Sequence, residues 1–200
     1  MQKEIFYMRF MVVFITLLLL TACQSSDEIT SKSVEMYNGT GDRVGTALLN
    51  EAAEGVQIEL TLEGLAPGFH GIHVHEYPAC KGPDFKSSGN HLDPEGKEHG
   101  LMHPDGAHLG DLPNIEADGA GLVDVELMLA EATLLDGKNS LFEKGGTSLI
   151  VTENQDDGVS QPSGNSGARI ICGVIKKEDG AGESEDAPTD PTEFNEEQEE

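Results

Sequence analysis

The sequence predicts an all-β domain, an antiparallel barrel or sandwich of about eight strands with long loops, and three observations carry that prediction. Short runs of alternating apolar and polar residues recur from Val34 to Ile175, separated by Gly, Asp, Asn and Pro. No stretch sustains a helical apolar period over several turns. All seven histidines lie between positions 70 and 108, on one strand and in the Gly- and Pro-rich segment behind it, residues 79–112. A loop that long inside one domain needs a fastener, and imidazoles can hold one.

In chain order, residues 1–22 carry Lys3 and Arg9, then the apolar run Phe10–Leu20, then Leu20-Thr21-Ala22-Cys23. The run is short of the ~20 apolar residues that span a bilayer. With a cysteine directly behind it, it reads as a lipoprotein signal peptide, with lipidation on Cys23. That predicts an extracytoplasmic protein anchored to the cell membrane through lipid. Residues 23–33 are Ser-, Asp- and Thr-rich and read as a tether. The domain is expected over 34–177, beginning with strands at Val34–Asn38, Val44–Leu48 and Val56–Leu62. The turn 63–68 leads into the histidine strand. Further strands are expected at Val123–Leu127, Leu149–Val151 and Arg169–Ile175, with a helical turn possible in 127–135. Residues 178–200 contain eleven acids and no Lys or Arg, the composition of a disordered acidic tail.

The whole chain carries a formal charge of −25. Without the leader's Lys3, Arg9 and Glu4 it is −26, and without the eleven tail acids the body keeps −15. Nucleic acid is therefore excluded as a partner. A second copy of the chain, as a homodimer, stays open. Once lipid takes Cys23, Cys80 and Cys172 remain in an oxidising compartment and are expected to form a disulfide.

Gly68 to Glu76 reads G-F-H-G-I-H-V-H-E. Side chains alternate along a strand, so His73 and His75 share one face while Ile72 and Val74 take the other. The same parity sets His70 apart as a hydrogen-bonding structural residue. Downstream, His91, His99, His108 and Asp111 offer three imidazoles and a carboxylate, a donor set suited to tetrahedral zinc. His103 is spare.

These motifs, with Gly164-Asn165-Ser166-Gly167-Ala168-Arg169-Ile170-Ile171-Cys172-Gly173, resemble the copper/zinc superoxide dismutases over roughly Val34–Ile175. The resemblance implies a Greek-key barrel with superoxide as substrate. It implies copper held by His73, His75 and His91, and zinc held by His91, His99, His108 and Asp111, with His91 shared. Cys80 and Cys172 match the family's disulfide, and Arg169 its active-site arginine. Asp156 matches the carboxylate that hydrogen-bonds ligands of both metals. One position departs. The family's fourth copper histidine stands in a V-H-E-x-x-D-D setting, and this chain reads Val151-Thr152-Glu153-Asn154-Gln155-Asp156-Asp157. The expectation is a whole zinc site and a copper site one histidine short, at Thr152, with weak or impaired dismutation. The alternatives are full dismutase activity and a non-enzymatic zinc- or copper-binding surface protein.

Overall fold

The computed structural model describes residues 30–104 and 106–177. The leader, Cys23, the tether up to residue 29 and the acidic tail lie outside the described residues.

Nine strands follow in order among the described residues: β1 Ser31–Asn38, β2 Arg43–Ala52, β3 Gly55–Leu62, β4 Gly68–His70, β5 Ile72–His75, β6 Ile115–Ala117, β7 Val123–Ala130, β8 Thr147–Thr152 and β9 Arg169–Ile175. Seven form one curled antiparallel sheet in the order β5-β8-β9-β1-β2-β3-β7, and β4 pairs with β6 in a second, small sheet. The fold class is the all-β one expected, and the strand count differs because the histidine strand is split. Gly71 divides it: a Cβ there would lie 2.6 Å from Thr152 Oγ1. The Gly71 carbonyl and amide bond Thr152 N and Asn154 O, each at 2.9 Å. The chain therefore changes partners at this residue, from β6 to β8.

Alternation fixes the core. Along β3 and β7 buried Val56, Ile58, Leu60, Leu127 and Leu129 face inward, with Glu59, Glu126 and Met128 turned out. The expected helical turn in 127–135 is not there. Residues 127–130 complete β7 at strand period, and Glu131 ends the strand with φ of 64°. The only helical pieces among the described residues are 3₁₀ turns at Lys86–Ser88 and Glu143–Gly145. Domain structure also starts earlier than Val34, because Ser31–Ser33 pair with Leu48–Asn50 of β2.

Cys80 and Cys172 form the expected disulfide, pinning the loop after β5 onto β9 beside buried Phe85 and Ile150. With 92 residues of separation, the chain-entropy model assigns such a closure about 4–5 kcal/mol.

Candidate metal centre

β5 is the first strand of the large sheet, so one of its edges is free of β-partners. The long loop closes that edge. Val74 N bonds Gly110 O and Leu92 N bonds Val74 O, both at 2.8 Å, and bridges join His73 to Asp111 and His75 to His91. Gly110 is required for this approach: a Cβ there would sit 2.2 Å from Val74 O. An uncovered strand edge thus becomes the scaffold on which distant histidines meet.

Among the described residues two groupings that share a ring result, with a third, of His73, His99 and Asp156, crossing them. His73, His75 and His91 present nitrogens within 4.8 Å of one another, and His91, His99, His108 and Asp111 do the same with nitrogens and a carboxylate oxygen. His91 belongs to both, its ring stacked on His73 at 4.0 Å and 4.9 Å from that of His75. Asp111 Oδ1 accepts from His91 Nδ1 at 2.8 Å and from His99 Nδ1 at 3.1 Å. Its Oδ2 accepts from the backbone of Gly100 and His108, which folds the loop around the carboxylate. Asp156 spans the groupings, accepting from His73 Nε2 at 2.7 Å and His99 Nε2 at 3.1 Å.

These residues fit metal ions. His73 Nδ1 and His75 Nε2 are buried without any hydrogen-bond partner, and His108 Nδ1 is buried with only the longer approach of Asp111 Oδ1, at 3.4 Å. Buried nitrogens left unpaired are costly, and a cation on each lone pair removes that cost. The back nitrogens are already engaged, His75 Nδ1 by Gly89 O at 3.0 Å and His73 Nε2 by Asp156, which aims the opposite nitrogens inward.

The electrostatics agree. Burial pushes His75 well below the ordinary histidine value, with His91 adding to the effect. Burial also takes His91 down to about 4, against the pull of Asp111. Both rings thus keep a lone pair at neutral pH. His99 goes the other way: burial lowers it, but Asp111 and Asp156 together raise it to about 9. Although burial opposes ionisation of both carboxyls, their histidine partners hold Asp111 and Asp156 well below the usual carboxylate range.

A cavity of about 450 Å³ opens beside the three-histidine grouping, with His75, His91, Thr152 and Arg169 in its wall. Thr152 is buried, and its hydroxyl hydrogen is shared between Gly71 O and Asn154 O, each at 3.2 Å. Arg169 donates Nη1 to Phe85 O at 3.0 Å and Nη2 to Gly89 O at 2.8 Å. Its pKa is lowered by burial. His70 lies outside the clusters, its ring nitrogens against Thr152 O and Ala66 O at 2.9 and 2.8 Å, the structural place that strand parity assigned it. His103 joins neither grouping.

Sequence reasoning missed two amides. Asn114 clamps the backbone of Asp156, with both its side-chain atoms at 2.8 Å. Gln161 clamps the backbone of His99 in the same manner. Neither belongs to a motif, and each finds its partner across 42 or 62 residues.

Comparison with known proteins agrees with this geometry. The family described as copper/zinc superoxide dismutase matches residues 43–175. Superoxide dismutase [Cu-Zn] 2 of Aquifex aeolicus is 45% identical over 163 residues, covering 80% of this chain and 94% of that protein. Superoxide dismutase-like protein YojM of Bacillus subtilis is 40% identical over 145 residues, covering 71% and 74%. Among solved structures, a double mutant of a SOD-like protein from Bacillus subtilis superposes with TM-score 0.71 at 40% identity, covering 72% of this chain and 97% of that one. Cu/Zn superoxide dismutase from Brucella abortus follows the same fold at TM-score 0.62 and 33% identity, covering 73% and 99%. Sequence match, shared fold and two histidine groupings joined through His91 lead to one conclusion: the chain belongs to the copper/zinc superoxide dismutase family.

Proposed function

We propose that this protein is an extracytoplasmic lipoprotein of the dismutase family that binds zinc firmly and copper weakly, with superoxide dismutation impaired. In this reading zinc takes His91, His99, His108 and Asp111, and copper takes His73, His75 and His91. The observation that carries it is Thr152. Its hydroxyl hydrogen is engaged by Gly71 O and Asn154 O, and a neutral hydroxyl is a poor donor to copper beside three imidazoles.

Copper, when bound, supplies one-electron reduction and reoxidation, the chemistry by which the family disproportionates superoxide. The chain's own residues provide the rest. Asp156 and Gly89 O fix which nitrogen of His73 and His75 faces inward. Arg169, tied to the backbone of residues 85–89, lines the cavity and keeps N–H groups beyond those bonds, with which charge-assisted hydrogen bonds can hold a small anion. A second reading, full dismutase activity, is favoured by that same arginine, which keeps donors to spare for an anion after bonding Phe85 O, Ser88 Oγ and Gly89 O.

The experiment compares wild type with Thr152→His, each loaded with zinc and copper. The variant is expected to bind copper at least about tenfold more tightly and to disproportionate superoxide faster. Equal and rapid turnover in the copper-loaded pair would show that Thr152 is no defect and would favour the second reading; equally slow turnover in both would count against dismutation at this site. Lipidation is tested by labelling with a fatty acid, which Cys23→Ser is expected to abolish.

A further inference from the structure

Ser88 is a fully buried hydroxyl between the arginine and the three-histidine grouping, and no motif of the chain singles it out. It closes the 3₁₀ turn Lys86–Ser88 and donates to Phe85 O at 2.8 Å. Its oxygen accepts from Arg169 Nη1 at 2.9 Å. That oxygen also lies 3.4 Å from His75 Nδ1, whose hydrogen goes to Gly89 O. Gly89 O receives Arg169 Nη2 as well.

From this geometry we infer that Ser88 is a positioning residue for the anion step, orienting Arg169 relative to His75. The inference rests on the proposed anion role of Arg169. A guanidinium has five N–H donors. Phe85 O and Ser88 Oγ take both hydrogens of Nη1, and Gly89 O takes one of Nη2. The hydrogens left are Nε–H and one on Nη2, two charge-assisted donors of one rigid plane that suit a small anion. The two backbone carbonyls alone allow the plane to swing about the Nη1–Nη2 line; the third acceptor stops that swing. Glycine at position 89 lets the loop come this close, since a Cβ there would meet the Tyr77 and Glu76 side chains at 2.5 to 2.7 Å.

The test uses Ser88→Ala in the full-length protein. Azide binding is read from the visible absorption of the zinc- and copper-loaded form. The Arg169 Nε–H and His75 Nδ1–H signals are read by ¹⁵N–¹H NMR in the zinc-only form, where no copper is needed. Losing one charge-assisted acceptor is expected to weaken azide binding on the order of tenfold, to move both NMR signals, and to leave zinc content unchanged. Ser88→Cys, similar in volume and a weaker acceptor, is expected to fall between, and it carries the test if the alanine protein does not fold. Unchanged Arg169 and His75 signals overturn the inference. So does an unchanged azide affinity accompanied by a lower melting temperature, which would mark Ser88 as a packing residue. Failure of wild type to bind azide at all, with the NMR shifts present, counts against the anion role of Arg169 and leaves the Ser88 contact standing.

Discussion

Gln161 grips His99 by its backbone at both ends: the side-chain Oε1 accepts from His99 N at 2.8 Å, and Nε2 donates to His99 O at 2.9 Å. The loop that carries Arg169 at its end is thereby fastened to the loop that carries the candidate zinc ligands. Gln161→Ala removes both hydrogen bonds to His99, at a partly buried site and together worth about 1–3 kcal/mol, along with a longer, exposed one to Val159 O at 3.3 Å. Zinc affinity is expected to fall roughly tenfold, measured by competition with a chromophoric chelator. An unchanged affinity would mean that the zinc loop holds its shape without this clamp.

Asp111 accepts from two histidines and two backbone amides, so it organises its loop even before any ion arrives. Asp111→Ala is expected to lose zinc and to lower the melting temperature by well over ~4 °C, the shift that 1 kcal/mol produces in a domain this size, because several buried donors lose their acceptor together. Full zinc content in the purified variant, by elemental analysis, would refute the assignment.

The histidines predict a pH optimum for the metal-free protein. His99 has its folded pKa raised to about 9, above an unfolded value near 6.5. Its contribution is therefore complete below about pH 6.5 and lost as pH rises through about 9. His91 is depressed to about 4, so acid costs stability from about pH 6.5 downward. Melting temperature measured with a chelator present should peak near pH 6.5 and fall on both sides. Zinc should flatten the alkaline limb, since the ion takes the place of the proton on His99. A monotonic profile would contradict this pairing of shifts.

Cys172→Ala cuts the tie between β9 and the loop that supplies Phe85 O and Gly89 O to Arg169. A loss of about 2–5 kcal/mol is expected in chemical denaturation. Azide affinity should weaken too, and an anion site indifferent to the disulfide would show that the loop is held by its own hydrogen bonds.

The sheet was legible because alternation is a local signal, and each strand that buries one face declares itself. β6 escaped: it has only three residues, and its partner is one end of a strand that seemed continuous. The split at Gly71 was hidden for a related reason, since it depends on Thr152 lying against that glycine. The histidine groupings that could hold metal were legible as candidates because histidines are scarce and here gather in one span of chain. Ser88, Asn114 and Gln161 were not. A serine or an amide in a loop acquires meaning only from what stands opposite it, and that is decided by folding over tens of residues.

The loop laid along β5 also has a protective effect. The four residues of β5 are wholly buried, and its outer rim of amides and carbonyls is masked by chain that folds back around His91 and Asp111. Should an empty site let that chain lift, a row of unpaired strand amides and carbonyls would face solvent, ready to pair with the same rim on another molecule. The ions that this centre can take up would then act as a seal against self-association. Light scattering at equal concentration should find the chelated protein assembling and the zinc-loaded protein remaining dispersed.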